Sequence, residues 1–468
     1  MLQEGSIAAR PRRMLGPWSA ASVVVGMVIG AGIFRSASLV AAGLHNETLV
    51  MLAWGLGGVF ALAGALTYAE LATSFPHPGG DYRFLSEAFG PRIGFLFAWS
   101  RFAIIFTASA AMLAFVAADY LAELLPMGTA GKAGVAALAI LALTALNLRG
   151  VKTSTRSQLV LVATDIAALL ALGAAAIALI ATGTPPLAPE TVPLAFAPTS
   201  FGAAMVFVML AYGGFNDAAT LSAEVRRPRD MTLAMIGGMA MVTALYLLAN
   251  WAYLTGLGGA GLAASDAPAA ALMARAFGPA GRIAMVIAVA LAALAILNAL
   301  VIVGGRTLYA VASDEPALER LAQWDAGRGV PRTAIWVQCT VSLVLVGWGS
   351  WTRGGFAAMV DYMAPVYWLF LSLAGLSLFR LRATRPEALR PYRVPLYPLV
   401  PLVFTTGAVF VLVASIRYVG WTGSLLSFGM LGLGLVVRAG LHRRSAGGAV
   451  DPAAATMRLP RHEPFERP

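Results

Sequence analysis

Two glycine-rich stretches interrupt long apolar segments of this sequence: Gly30-Ala31-Gly32-Ile33-Phe34 and Tyr212-Gly213-Gly214-Phe215-Asn216. Four further apolar segments separate the two stretches. Glycine clusters allow a membrane helix to unwind, and the backbone groups that are freed are tolerated only where protein or a water-filled cavity surrounds them. Two broken helices at corresponding places in two halves are a strong sequence indication of a transporter's binding site. We therefore expect a carrier.

The composition indicates a membrane protein. Of the 468 residues, 59% are hydrophobic and 12% are charged, whereas soluble domains carry about 25% charged residues. Runs of about 20 apolar residues, enough to cross roughly 30 Å of hydrocarbon, recur along nearly the whole chain. We therefore predict an all-α polytopic membrane protein with about twelve transmembrane helices. The predicted segments are 15–42, 48–74, 91–124, 132–148, 157–182, 200–222, 232–257, 281–312, 332–350, 355–380, 397–416 and 422–441.

The charges indicate the orientation of the chain. The net charge is +11, and arginines concentrate in alternate connections, for example 149–156, 226–229 and 380–393. Positively charged residues favour the cytoplasmic side of a membrane, so we expect both termini in the cytoplasm. The basic character then reflects topology and not a nucleic-acid partner. The alanine- and arginine-rich usage favours a bacterial inner membrane.

The segments group into one membrane domain with two halves. An odd number of spans in each half gives the halves opposite topology, which is the arrangement of an inverted repeat. The predicted regions are a basic cytoplasmic arm at 1–14, a transmembrane domain at 15–441 with halves at 15–182 and 200–380 and two added helices at 397–441, and a disordered cytoplasmic tail at 445–468.

The residue types argue against metal, cofactor and enzyme chemistry. The four histidines lie far apart and lack metal-ligand spacing, so we expect no metal and no cofactor. A membrane enzyme would need paired carboxylates, or a nucleophile with a base, close together. Glu70, Asp165 and Asp217 lie on separate segments, and no histidine lies in a predicted span. We therefore expect that the protein is not an enzyme.

The first break is suited to a carboxylate. If the helix ends near Ile29 and resumes after Gly32, the N–H groups of residues 31–34 lie free at the positive end of the outer half-helix. The alternative is that Gly30 and Gly32 only permit close helix packing, as small residues commonly do in membranes.

The second break is suited to an ammonium group. It should leave the carbonyl groups of Leu210 to Tyr212 unpaired at the negative end of a half-helix. Donors for a carboxylate and acceptors for an ammonium in one site describe an α-amino acid. The two breaks together therefore predict an amino acid site.

Several motifs in order resemble the amino acid–polyamine–organocation transporters, and the sixth segment is most similar to the neutral amino acid exchanger branch and its bacterial relatives. The resemblance runs from the first segment into the eleventh. It implies a five-plus-five inverted repeat of the leucine-transporter type, alternating access, and substrate held by broken helices 1 and 6. The motifs are Gly30-Ala31-Gly32-Ile33-Phe34, Ala69-Glu70-Leu71, Pro78-Gly79-Gly80-Asp81-Tyr82, Ala211-Tyr212-Gly213-Gly214-Phe215-Asn216-Asp217, Ser222-Ala223-Glu224-Val225, Leu297-Asn298-Ala299 and Pro391-Tyr392-Arg393-Val394-Pro395.

The breaks and the resemblance together define a predicted substrate site. Ser109 on the third segment is included because it could face the pocket. The predicted substrate-binding residues are Ile29, Gly30, Ala31, Gly32, Ile33, Ser109, Leu210, Ala211, Tyr212, Gly213, Gly214, Phe215 and Asn216.

The sequence departs from the family where coupling is concerned. Many sodium-independent members carry a lysine in the fifth helix, and the corresponding residue here is Asp165. Sodium-coupled relatives use hydroxyl groups in the eighth helix, where this chain has Ala295 and Ile296. Asp165 lies roughly 12 Å into its helix, where a carboxyl must be protonated, paired or exposed to water. We expect it to bind a coupling proton; the alternatives are pairing with an arginine and a one-residue shift in the alignment.

Three residues are candidates for gates. Arg35 follows the first break and either pairs with an acidic outer-gate group, contacts substrate or extends to the outer interface. Glu224 with Arg226 lies at the inner end of segment 6, where a salt bridge with inner-loop charges would form a cytoplasmic gate. A simple helix-end pair is the alternative. Arg101, in segment 3, is expected in an internal polar network.

No acidic cluster calls for a cationic substrate, so we expect neutral L-amino acids, moved by exchange or proton symport. A carrier of cationic amino acids or polyamines is the alternative. Some members of the exchanger branch pair with a partner through a cysteine in an outer loop. Cys339, the one cysteine, lies near the inner half of segment 9. We therefore expect a monomer or homodimer without a disulfide-linked partner.

Overall fold

The computed structural model describes residues 16–30, 32–77, 79–150, 155–188, 197–313, 321–325, 328–352 and 354–447. Within these ranges the chain forms helices and short connections, and no β-sheet. A π-helical turn at Arg101–Phe106 joins α5 to α6, and a 3₁₀-helix at Asp217–Ala223 follows α9. The helices are α1 (Pro17–Val28), α2 (Ile33–Leu44), α3 (Glu47–Ser74), α4 (Asp81–Phe89), α5 (Pro91–Ser100), α6 (Thr107–Leu121), α7 (Thr129–Leu148), α8 (Thr155–Ala181), α9 (Pro198–Ala211), α10 (Pro228–Ala263), α11 (Pro268–Ser313), α12 (Arg332–Trp351), α13 (Gly355–Thr384) and α14 (Leu399–Gly447).

These helices confirm the prediction of an all-α polytopic membrane protein. Nine described helices are long and apolar enough to cross a bilayer, and the pair α1–α2, bent by 44° at its break, brings the number to ten. The stretch Pro91–Leu121 runs through the π-helical turn as one span. The predicted segment 422–441 and all but the first two residues of the predicted segment 397–416 fall within α14, which Gly420 divides because its φ of 75° is not helical.

The connections between the spans are short and ordered where they are described. Helix α4 begins at Asp81 because Gly80, with a φ of 48°, turns the chain before it. In the connection after α8, residues 187 and 188 donate backbone hydrogen bonds to carbonyls near the end of α10. The predicted arm 1–14, residues 189–196 and most of the predicted tail 445–468 lie outside the described residues.

Close packing of small and aromatic residues surrounds the breaks. Gly57 of α3 faces α9, and a Cβ atom there would lie 2.4 Å from Val208 Cγ1, so only glycine permits this approach. The rings of Trp54, Tyr212 and Tyr246 are fully buried, with centroids 5.1, 5.8 and 5.9 Å apart. This aromatic cluster joins α3, the second break and α10.

Candidate functional site

The first break lies where the sequence predicted it. Helix α1 ends at Val28, Ile29 is extended, and α2 begins at Ile33. The Ile33 N–H donates to the Gly30 carbonyl at 3.4 Å, so the prediction that the whole run of N–H groups is free was wrong at this residue. A Cβ atom on Gly32 would meet nothing within 4 Å. Space is therefore present beside the break. Ala31 lies outside the described residues.

The second break also lies at the predicted residues, but its carbonyl groups are used differently. Helix α9 ends at Ala211, and five turn residues separate it from the 3₁₀-helix. The Leu210 carbonyl accepts from the Gly213 N–H, and the Ala211 carbonyl accepts from the Tyr246 hydroxyl, both at 3.1 Å. The prediction that these two carbonyls are unpaired was therefore wrong, because a local turn and a distant tyrosine satisfy them.

Tyr246 brings the two breaks together. Its hydroxyl lies 3.1 Å from the Val28 carbonyl and 3.1 Å from the Ala211 carbonyl, so one proton is shared between the ends of both half-helices. Gly214 has a φ of 102°, and a Cβ atom there would lie 2.2 Å from the Met27 carbonyl oxygen. The backbones of the two breaks are therefore in direct contact, as a single binding site requires.

A cavity of about 610 Å³ adjoins the second break. Among the predicted substrate residues that the structure describes, Asn216 lines this cavity, together with Phe106 from the π-helical turn. Ser109 does not line the cavity, and its hydroxyl lies 3.5 Å from Met363 Sδ. The other predicted substrate residues that the structure describes do not line the cavity either.

Asn216 is held by a buried network that sequence reasoning did not identify. Its amide nitrogen donates to Asp81 Oδ2 at 3.2 Å, and its amide oxygen accepts from the Tyr367 hydroxyl at 3.1 Å. Asp81 belongs to α4, between two spans. Burial raises the pKa of Asp81 to about 6, although the nearby Tyr68 hydroxyl and the hydrogen bond from Asn216 oppose the shift. The buried carboxyl at the start of α4 therefore orients a residue of the second break.

Arg101 lies in a polar network, as expected, and its partner is Asp217. Arg101 Nη1 and Asp217 Oδ1 lie 2.5 Å apart. Arg101 begins the π-helical turn, which redirects the side chains of this span, and Asp217 is the first residue of the 3₁₀-helix. Both side chains line the cavity. An arginine within an apolar span predicts an acidic partner, but the sequence does not show which acid it is.

Four charged residues form a network of ion pairs toward the opposite end of the molecule. Arg35 lies 2.7 Å from Asp266 and 3.6 Å from Asp119, and Lys132 lies 2.8 Å from Asp119 and 3.0 Å from Asp266. We call these residues the distal cluster. Asp119 follows Arg101 by 18 residues on the same span, or roughly 27 Å at 1.5 Å per residue. Arg35, a predicted gate, therefore takes the first of its three options, an acidic partner.

The other predicted gate residues form no such contact. Glu224 and Arg226 are both exposed, and neither forms an ion pair within the described part of the chain. A different acid, Glu70 of α3, forms a buried ion pair with Arg382. The Nε and Nη2 atoms of Arg382 donate to the two carboxylate oxygens of Glu70 at 2.8 and 2.6 Å. The sequence could have indicated this pair, because a glutamate near the end of an apolar span needs a partner.

Asp165 is buried in α8, with 5% of its surface exposed. It forms no ion pair with any residue that the structure describes, so the alternative of an arginine partner finds no support. Its helix, α8, packs against α10, which carries Tyr246, the residue that joins the two breaks. Across the described ranges, no group of three His, Cys, Asp or Glu side chains is placed to hold a metal ion.

Comparisons with known proteins agree with this geometry. The family model for amino acid permeases matches residues 15–435. The human b(0,+)-type amino acid transporter 1 is 29% identical over 413 residues, covering 86% of this chain and 83% of that protein. The serine/threonine exchanger SteT of Bacillus subtilis is 28% identical over 407 residues, covering 86% and 90%. The mouse large neutral amino acids transporter small subunit 2 is 28% identical over 403 residues, covering 84% and 75%. Because the family model spans most of the sequence and the breaks lie where the motifs predicted them, the chain belongs to the amino acid permease family.

Proposed function

We propose that this permease is a secondary carrier of neutral L-amino acids that works by alternating access in the cytoplasmic membrane of a bacterium. The observation that carries the proposal is the contact of two broken helices beside a cavity, with the opposite end of the molecule closed. A carrier needs a central site that opens to one side at a time. In this proposal the cavity is the open side of the central site, and the distal cluster lies on the closed side.

The proposed substrate site lies at the breaks. The carboxylate of the amino acid would accept hydrogen bonds from N–H groups at the start of α2, beside the open space at Gly32. The ammonium would lie near the end of α9, with Tyr212 and Asn216 at its border. For the opposite side to open, the ion pairs of the distal cluster must separate.

The charges of the cavity favour a neutral substrate. Its wall carries Arg101, Arg306 and Arg438 against Asp81 and Asp217. Asp217 is paired with Arg101, and Asp81 accepts from Asn216. A wall with more arginines than carboxylates repels cationic substrates such as polyamines. The names of the bacillus and mouse relatives, which refer to serine, threonine and large neutral amino acids, support the same class.

Two modes of coupling are proposed for test. The name of the bacillus relative supports exchange of one amino acid for another. The buried carboxyl of Asp165, without a described cation and in a helix that packs against α10, supports proton symport. Protonation of Asp165 would change the charge between α8 and α10, the helix whose Tyr246 joins the two breaks, and this would link the proton to the substrate site.

Uptake into liposomes that contain the purified protein tests the proposal. The labelled substrates are L-serine, L-leucine, L-lysine and putrescine. One set of liposomes holds the same unlabelled amino acid, and a second set has an inward proton gradient and no internal substrate. Gly32→Val serves as the control, since it is expected to fill the substrate site.

We expect saturable uptake of L-serine or L-leucine, and none of putrescine. Stimulation by internal substrate alone indicates exchange, and stimulation by the gradient indicates symport. Preferential uptake of L-lysine or putrescine would overturn the neutral class. Failure to transport any of the four, by protein that elutes as a single folded species, would overturn the proposed function.

A further inference from the structure

The ion pair between Arg101 and Asp217 is an unusual feature within an apolar span. Ionisable groups at membrane depth are costly and mark functional sites by default. A partly buried ion pair is also a weak source of stability, because desolvation offsets much of the attraction between the charges. A function other than stability is therefore expected for this pair.

The pair is open to the cavity, and some of its donor and acceptor atoms have no described partner. The Asp217 side chain is 36% exposed and the Arg101 side chain 13%. Asp217 Oδ1 accepts from both Arg101 Nη1 and the Asn216 amide, whereas its Oδ2 accepts from no residue that the structure describes. Likewise Arg101 Nη2 and Nε donate to no described residue. An acceptor with negative charge and donors with positive charge thus lie side by side, facing the same space.

The remaining wall fits a small organic ligand. The guanidinium carbon of Arg101 lies 4.3 Å from the centroid of the Phe106 ring, a contact that favours the cation there. Phe97 lies 5.8 Å from the same group on another side. The volume of about 610 Å³ is within the range of about 300–1,000 Å³ that is usual for small-molecule sites.

We propose that Arg101 and Asp217 form a second binding station for the zwitterionic backbone of an amino acid, between the breaks and the open end of the cavity. The substrate carboxylate binds the free guanidinium donors of Arg101, and the substrate ammonium binds Asp217 Oδ2. Four alternating charges then lie together, and no net charge is added to the cavity. This inference rests on the proposed amino acid substrate but uses residues outside the site at the breaks.

The station has a defined place on the transport path. Asp217 directly follows Asn216, which borders the proposed site at the second break, so substrate that leaves the breaks reaches the ion pair next. Arg101 belongs to a different span from either broken helix. Loss of the station therefore removes one bound amino acid while the backbone site at the breaks is retained.

Binding stoichiometry tests this inference. Tritiated L-serine and L-leucine are titrated onto purified wild-type protein, Arg101→Ala, Asp217→Asn and the control Arg328→Ala, which removes an exposed arginine that does not line the cavity. We expect two amino acids bound per chain in the wild type and in the control. We expect one in each of the two station variants, or a second site weakened at least about tenfold, as loss of a hydrogen bond to a charged group predicts.

Further variants separate a binding role from a purely structural one. Asp217→Arg combined with Arg101→Asp keeps both charges in the same place and should restore the second site. Propionate and ethylamine, which each lack one of the two charges, should not displace the second molecule. Monodisperse elution is required of every variant.

One bound amino acid in the wild type, with uptake intact, would overturn the station and leave the proposed function standing. Two bound in both station variants would overturn it as well. Absence of both binding and uptake for all neutral amino acids would overturn the station together with the proposed function.

Discussion

At the residue scale, two carboxyl groups are buried in different surroundings. Asp165 lies in α8, which packs against α10, without a described cation, whereas Asp81 lies in α4 and accepts from Asn216. Sequence reasoning identified Asp165, because its position in a known helix was enough to make it unusual. It missed the role of Asp81, because nothing in the motif Gly79-Gly80-Asp81 shows that Asn216, 135 residues away, packs against it.

Replacement of Asp165 tests the proton route. Asp165→Asn keeps the size of the side chain and removes its titration. We expect the rate of amino acid uptake in liposomes to lose its dependence on pH, while uptake driven by internal substrate continues. Asp325→Asn, in an exposed pair with Arg328, is the control and should keep the wild-type profile. A pH profile for Asp165→Asn that matches the wild type would place the proton site elsewhere.

Replacement of Asp81 should change stability in a pH-dependent way. Burial raises the pKa of Asp81 from 3.8 to about 6, so the folded protein holds this proton more tightly than the unfolded chain. The stabilisation is complete below the ordinary pKa and is lost as pH rises through 6. Near neutral pH, the buried charge costs on the order of 3 kcal/mol. Asp81→Asn should therefore raise the melting temperature above pH 7 and leave it unchanged near pH 4, by thermal unfolding in detergent.

Asp266→Asn provides a control of opposite sign. Although burial acts against it, Arg35 and Lys132 lower the pKa of Asp266. The stability that this carboxylate contributes is present at neutral pH and is lost on acidification. Asp266→Asn should therefore lower the melting temperature at neutral pH. Equal melting temperatures for Asp81→Asn and wild type across the whole range would contradict the assigned burial cost.

At the element scale, the two breaks need glycine for different reasons. Gly32 has open space where a side chain would lie. Gly214 combines a φ of 102° with a Cβ position 2.2 Å from the Met27 carbonyl oxygen. One glycine therefore leaves room for substrate, and the other permits the contact between the half-helices. The glycine clusters in the sequence show where the breaks lie, but not which glycine has which role.

The two glycines should respond differently to substitution. Gly32→Val should abolish uptake and leave a folded, membrane-inserted protein, because the valine occupies the space of the substrate carboxylate. Gly214→Ala should lower the yield of folded protein, because alanine is strained at this φ and collides with Met27. Fluorescence-detected gel filtration and uptake measure the two effects. Full uptake by Gly32→Val would remove Gly32 from the substrate site.

At the scale of the whole molecule, the distal cluster and the cavity describe one conformation, closed at one end and open at the other. The cluster joins α2, α6, α7 and the connection between α10 and α11 through Arg35, Asp119, Lys132 and Asp266. Asp119 and Asp266 each contact both Arg35 and Lys132, so loss of either carboxylate should weaken the cluster.

Neutralising Asp119 should shift the molecule toward the opposite conformation. Asp119→Asn weakens contacts to both Arg35 and Lys132, worth about 1.5–3 kcal/mol for a charged hydrogen bond, so the cavity should close more often. In a Cys339→Ser background, a cysteine at Thr307 in the cavity wall should be alkylated more slowly. Arg275→Ala, which removes a bond to the Pro185 carbonyl, is the control and should not change the rate. Equal rates of alkylation with and without Asp119→Asn would show that the distal cluster does not keep its end of the molecule closed.

The sequence by itself determined the class of the molecule, the places of the apolar segments and the positions of both breaks. These follow from local composition, because a bilayer requires about 20 apolar residues per helix and tolerates open backbone only inside protein. Only the tertiary structure decided the partners: Tyr246 for the two half-helices, Asp217 for Arg101, and Asp119 and Asp266 for Arg35. Such pairs join residues that are far apart in the chain, and only the packing of whole helices brings opposite charges and hydrogen-bonding groups within reach.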